Sequence, residues 1–156
     1  TFLGGFTRKF NEDASFTYMT SFGDLGARGD DAYSHTMVLD LQLTECLQTV
    51  FQSDVLRVNS TGEDNFGLSN YLFYTMSDRL TVGRRIEWWK GDNVTGYAPH
   101  GGVLPPGGSH SQYEATYGFN YRATANLTVR PEYRYDWSPG LDYKESVFGI
   151  DFVATF

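Results

Sequence analysis

The feature that most constrains this chain is a strict alternation of apolar and polar residues, held over segments about ten residues long. From Asn126 to Trp137 it reads NLTVRPEYRYDW. One parity carries Leu127, Val129, Pro131, Tyr133, Tyr135 and Trp137. The other carries Thr128, Arg130, Glu132, Arg134 and Asp136, all of them polar. Successive side chains on a strand point to opposite faces, so the pattern describes an extended segment with one oily and one ionic face. The same alternation sets Met37, Leu39, Leu41 and Leu43 against Thr36, Val38, Asp40 and Gln42. It sets Tyr113, Ala115, Tyr117, Phe119 and Tyr121 against Gln112, Glu114, Thr116, Gly118, Asn120 and Arg122. At the end of the chain, Phe148, Ile150, Phe152, Ala154 and Phe156 oppose Gly149, Asp151, Val153 and Thr155.

Read in this way, the chain predicts nine strands, at 2–10, 14–22, 34–43, 47–58, 66–76, 80–90, 111–122, 126–137 and 146–156. Strands in soluble proteins usually run about 5–6 residues. Most of these are longer and match the 9–11 residues a tilted strand needs to cross a bilayer. Short turns at Asn11–Asp13, Thr44–Cys46, Ser77–Arg79 and Ala123–Ala125 alternate with longer loops at Gly23–Tyr33, Asn59–Asn65, Gly91–His110 and Ser138–Glu145. Outer-membrane barrels show that asymmetry, with short periplasmic turns and longer external loops.

Two architectures fit alternation. In a soluble sandwich the oily faces pack on a second sheet. In a barrel they face lipid. Strand length, loop asymmetry and the aromatics Trp88, Tyr135 and Trp137 near strand ends favour an all-β, antiparallel up-and-down transmembrane β-barrel. Aromatic side chains make up 17% of the residues and glycine is abundant, as interfacial girdles and bending walls require. There is no run of about 18 apolar residues, which excludes a transmembrane helix. Nine is an odd number, and single-chain bacterial barrels have even ones. The first strand also enters from the external side. Residues 1–156 are therefore expected to form one barrel domain, the C-terminal part of a longer barrel. The alternative is a count off by one.

A net charge of −7 argues against nucleic acid as a partner. The lone Cys46 permits no internal disulfide and makes a cysteine-rich zinc site a poor reading. No catalytic, metal-binding or cofactor-binding residues are expected, and the chain does not read as an enzyme.

The stretches NYLFYTMSDRLTVGRRIEWWKGDN (Asn70–Asn93) and NLTVRPEYRYDW (Asn126–Trp137) resemble the beta-barrel porin-2, OmpL-like family. Val-Arg-Pro-Glu-x-Arg-Tyr-Asp-Trp is the more specific of the two. The likeness covers roughly Leu47 to Phe156, and family members are longer. It implies an outer-membrane channel and supplies neither a substrate nor catalytic residues. Phe156, with apolar residues at every second position before it, resembles the C-terminal signal read by the barrel-assembly machinery, although that signal's glycine is not at its usual place.

In a barrel, charges at alternate positions must face a wet lumen, because lipid exposure costs about 2–4 kcal/mol for a midplane arginine. The expected pore-lining residues are Arg130, Glu132, Arg134, Asp136, Glu114, Arg122, Arg85, Glu87, Asp151, Asp40, Gln52 and Asp54. They set up a field across a pore or, more plainly, pair with one another and solvate the wall. Arg84 breaks the pattern by sharing a parity with Leu80, Val82, Ile86 and Trp88, which suggests a bulge, an oligomer contact or a different register. Pro131 removes a ladder donor and suggests a bulge of its own.

The loop Gly91–His110 folds inward as a constriction, binds a surface partner, or is simply a mobile external loop, the last being the plainer reading of its Gly and Pro content. His100 and His110, with Asp92 nearby, show no spacing that demands catalysis or metal binding. Arg28-Gly29-Asp30 matches an adhesion tripeptide by chance composition. The sequons at Asn59, Asn93 and Asn126 read as incidental. Cys46 is expected to be a free thiol without a role.

The expected function is an outer-membrane channel for passive diffusion of small hydrophilic solutes. The alternatives are a structural or adhesive barrel without an open pore, and a barrel enzyme. Expected partners are outer-membrane lipid, the barrel-assembly machinery during insertion and the solutes themselves, and homo-oligomerisation is left open.

Overall fold

A computed structural model describes residues 1–25, 30–94, 96–97, 103–104 and 107–155, with backbone alone for 25, 30, 96, 97, 103 and 104. Nine strands form one antiparallel sheet: β1 (Phe2–Lys9), β2 (Ala14–Leu25), β3 (Asp30–Thr44), β4 (Leu47–Val58), β5 (Glu63–Ser77), β6 (Leu80–Asp92), β9 (Ser109–Thr124), β10 (Leu127–Ser138) and β11 (Tyr143–Ala154). Each pairs with its neighbour in the chain, in the order β1-β2-β3-β4-β5-β6-β9-β10-β11. Between β6 and β9, two short strands, β7 (Gly96–Tyr97) and β8 (Val103–Leu104), pair only with each other. One 3-10 turn, Pro139–Leu141, precedes β11. Among the described residues no helix is long and apolar enough to cross a membrane.

The sheet is therefore an up-and-down meander, all-β, and it is not closed: β1 and β11 each pair on one side only. That is the arrangement of a partial barrel. Strands run eight to sixteen residues, and several extend beyond the lengths read from alternation. β2 and β3 continue into the expected loop at 23–33, and β5 starts at Glu63, so the 59–65 loop shrinks to a turn. Gly62 closes that turn with a φ of 68° and donates its N–H to the Val58 carbonyl at 2.9 Å. Its left-handed backbone is one that L side chains rarely adopt.

Register shifts occur at Gln42/Thr44, Thr75/Ser77 and opposite Leu127/Thr128, each beside a short turn. The bulges expected at Arg84 and Pro131 are absent. Around Arg84 both ladders run without a shift. At Pro131 the β9–β10 pairing lapses between Val129↔Tyr121 and Glu132↔Gly118 and resumes in the same register. The missing N–H thus costs ladder contacts locally and leaves the alignment unchanged.

Side-chain burial reverses the pattern of a soluble domain. The apolar parity is exposed: Phe6 57%, Phe51 49%, Tyr117 54%, Phe152 63%. No second layer of strands covers it among the described residues. The buried set is mostly polar and includes Gln112, Glu114, Thr116, Asp136 and Ser138. The sheet curls toward its ionic face. An apolar surface this extensive, bare of protein, is the outer surface of a membrane wall.

Candidate functional site: the ionic face

Register carries one face across all nine strands. Asp40 pairs with Val50, Val50 with Tyr71, Tyr71 with Arg85, Arg85 with Thr116, and Thr116 with Arg134. In the same way Gln52 joins Ser69 and Glu87, and Asp54 joins Thr36 and Gly67. Glu87 faces Glu114, Glu114 faces Asp136, Arg122 faces Thr128, and Arg130 faces Asp151. Glu132 faces Gly118 and Gly149. All twelve residues singled out in the sequence thus share one face of the sheet.

The face has two chemically different halves. On β6, β9 and β10 three arginines pair with carboxylates. Arg85 donates from Nε to Glu114 Oε1 at 2.6 Å and from Nη2 to Oε2 at 2.5 Å, a bidentate fork. Thr116 Oγ1 donates a further bond to Glu114 Oε1 at 2.6 Å. Arg134 Nε donates to Asp136 Oδ2 at 2.7 Å and lies 3.8 Å from Glu114 Oε2. The carboxylates of Glu114 and Asp136 are enclosed, at 0% and 1% exposure. Nearer the edge, Arg130 forks onto Asp151 at 2.7 and 2.5 Å, with both side chains about half exposed. Arg122 lies at the turn end.

On β3, β4 and β5 the carboxylates meet neutral donors instead. Gln48 Nε2 donates to Asp40 at 2.8 Å. Thr36 Oγ1 and Gln52 Nε2 donate to the two oxygens of Asp54 at 2.6 and 2.7 Å. Across on β6, Glu87 accepts from Ser69 at 3.0 Å.

Several hollows open on this face, and two matter here. One, of about 490 Å³, is lined in part by Tyr71, Phe73, Gly83, Arg85, Gly118, Arg130, Glu132, Gly149 and Asp151. Its room comes from Gly83, Gly118 and Gly149, which the ladder sets in one row with Glu132. A Cβ on Gly118 would stand 3.0 Å from the Pro131 carbonyl, and one on Gly149 would meet nothing within 4 Å. The second, of about 420 Å³, is lined by residues of β4, β5 and β6 with Val94. At the loop end, Trp89, Val94 and Leu141 form a small apolar cluster over the ionic face.

Sequence reasoning missed the glycine row and Tyr71, whose ring lies 6.0 Å from the Arg85 guanidinium carbon. Tyr71 and Phe73 share the ionic face although they are aromatic, so hydropathy alone assigned them nowhere. Arg84 lies on the apolar face, where its Nη2 donates to Asn70 Oδ1 at 3.3 Å. Asn70 in turn donates to Thr49 Oγ1 at 2.9 Å. His110 and Asp92 fall on opposite faces, since Gly91 pairs with His110 and Asp92 with Ser109. Cys46 is exposed in its turn. His100, Arg28 and Gly29 of the tripeptide, Thr95 of the Asn93 sequon and Phe156 lie outside the described residues, as does much of the 91–110 loop.

A wall of this kind, oily outside and ionic within, matches a known family model. The model described as "Putative beta-barrel porin-2, OmpL-like" covers residues 1–156, the whole chain, and so takes in the N-terminal strands as well as the two motif segments. No curated protein and no solved structure matches the chain.

Proposed function

The chain belongs to the putative beta-barrel porin-2, OmpL-like family, and from that premise we propose that it is part of an outer-membrane channel for passive diffusion of small hydrophilic solutes. The observation that carries the reading is the single ionic face. Lipid offers no partner to a carboxylate or a guanidinium, so this face requires water, and water on the inner side of a membrane wall is a lumen. An open sheet has unpaired edges that a membrane does not tolerate, so β1 and β11 need further strands to close the wall.

Among the described residues of this face no hydroxyl is bonded to a histidine, and the buried acids Glu114 and Asp136 are committed to arginines. The glycine row supports passage, because three of its four positions carry no side chain into the hollow. The test is conductance of the full protein in planar bilayers. Stable, ohmic open steps support the channel. Insertion without conductance would reject it in favour of a structural barrel.

A further inference from the structure

The ionic face differs from strand to strand in whether its acids have basic neighbours, and that difference gives a sign to the selectivity of the channel proposed above, on which this inference rests. Lys9, at the turn end of β1, is the basic side chain that register adds to this face beyond β2–β5. On β2, β3, β4 and β5 the side chains of this face that the structure describes include Asp40, Asp54 and Glu63 and no lysine or arginine. Arg57 is on the other face, 3.5 Å from Asp64. On β6, β9 and β10, by contrast, Arg85, Arg130 and Arg134 are each held by carboxylates. Their fields are cancelled at short range, while those of Asp40 and Asp54 are only oriented by neutral donors.

The 420 Å³ hollow lies against this acidic side. Asp54, Glu63 and Glu87 line it together with Asn65, Tyr71 and Trp89, and among the described residues no basic side chain does. Aromatic faces add attraction for cations, through the ring quadrupole. Carboxylates and ring faces both favour a positively charged solute. An anion would meet no donor of its own charge complement there.

We propose that the β3–β6 wall makes this a cation-preferring channel, with Asp54 the principal specificity-determining residue. Asp54 is the carboxylate whose two oxygens are both fixed, so its charge is presented in one place. Gly67, its ladder partner, leaves the space before it open.

The experiment is the reversal potential of the full protein in planar bilayers under a KCl gradient. The unmodified channel is expected to pass K⁺ several-fold better than Cl⁻ at about 0.1 M, where the Debye length is about 10 Å. Raising the salt to about 1 M, where that length is about 3 Å, should bring the ratio close to one without any mutation. Asp54→Asn should lower the ratio about fourfold at low salt, as expected for one charge acting in opposite senses on K⁺ and Cl⁻ through screened water at 5–6 Å. Arg130→Gln, on the paired side, should raise it by freeing Asp151. Open channels with equal or anion-favouring permeability would overturn the inference and leave the channel standing. Absence of any conductance would remove the channel and the inference together.

Discussion

Glu114→Gln should be the most damaging single change on the ionic face. The Glu114 side chain is fully enclosed, and its carboxylate takes two bonds from Arg85 and one from Thr116. The amide has the same size and can accept one of those bonds. It cannot supply the charge, and its NH₂ turns a donor toward the guanidinium. Neutralising one member of a buried ion pair typically costs about 3–5 kcal/mol, mostly because the other charge is left uncompensated. Arg85 is 30% exposed, so water recovers part of that cost. The expected loss is therefore about 2–3 kcal/mol. Urea unfolding of the full protein from lipid vesicles, followed by tryptophan fluorescence, measures it directly. Adding Arg85→Gln should restore part of the loss, since no lone cation then remains. Arg130→Gln, on a half-exposed pair, should barely move the midpoint. A Glu114→Gln variant as stable as the wild type would refute the claim that this pair is enclosed and organises the wall.

Other consequences follow from the two faces. Arg84→Leu should stabilise the inserted protein by about 1–3 kcal/mol, because a lipid-facing arginine costs about 2–4 and its bond to Asn70 returns about 1. A loss of stability in the same unfolding assay would mean that a protein partner, not lipid, meets Arg84. Gly149→Phe should lower single-channel conductance with little change in unfolding midpoint, since a Cβ there meets nothing within 4 Å and its ring can enter the 490 Å³ hollow. Unchanged conductance would take that hollow off the path of the solute.

The sequence disclosed the faces well and the pairings poorly. Alternation is local: Arg130, Glu132, Arg134 and Asp136 share a parity whatever they pair with, so one strand suffices to place them together. The bond between Arg85 and Glu114 is not local. It depends on the register of β6 against β9 across the long loop, which hydrogen bonding along the whole ladder decides. The loop-side ends of strands were read short for a different reason. There the side chains of Asp24, Asp31 and Asp64 are wet on the outer face too, so hydropathy stops alternating while the backbone ladder continues. A bulge was one of three readings of Arg84 and the reading of Pro131, yet the register shifts lie at the turns, where a change of one residue is absorbed without displacing the faces. The glycine row was invisible because Gly83, Gly118 and Gly149 become neighbours only through the sheet.

The decisive measurement compares two adjacent positions on β4, Phe51 and Gln52, which register assigns to opposite faces. With Cys46 replaced by serine, a nitroxide is attached at Phe51→Cys or at Gln52→Cys in the full protein inserted in vesicles. Its collision rates with oxygen, which concentrates in lipid, and with a water-soluble nickel chelate are then read by spin resonance. The account predicts that the label at 51 meets oxygen and the label at 52 meets nickel. Nickel access at 51, with the label at 52 shielded from it, would contradict a wall whose aromatic side is bathed in lipid.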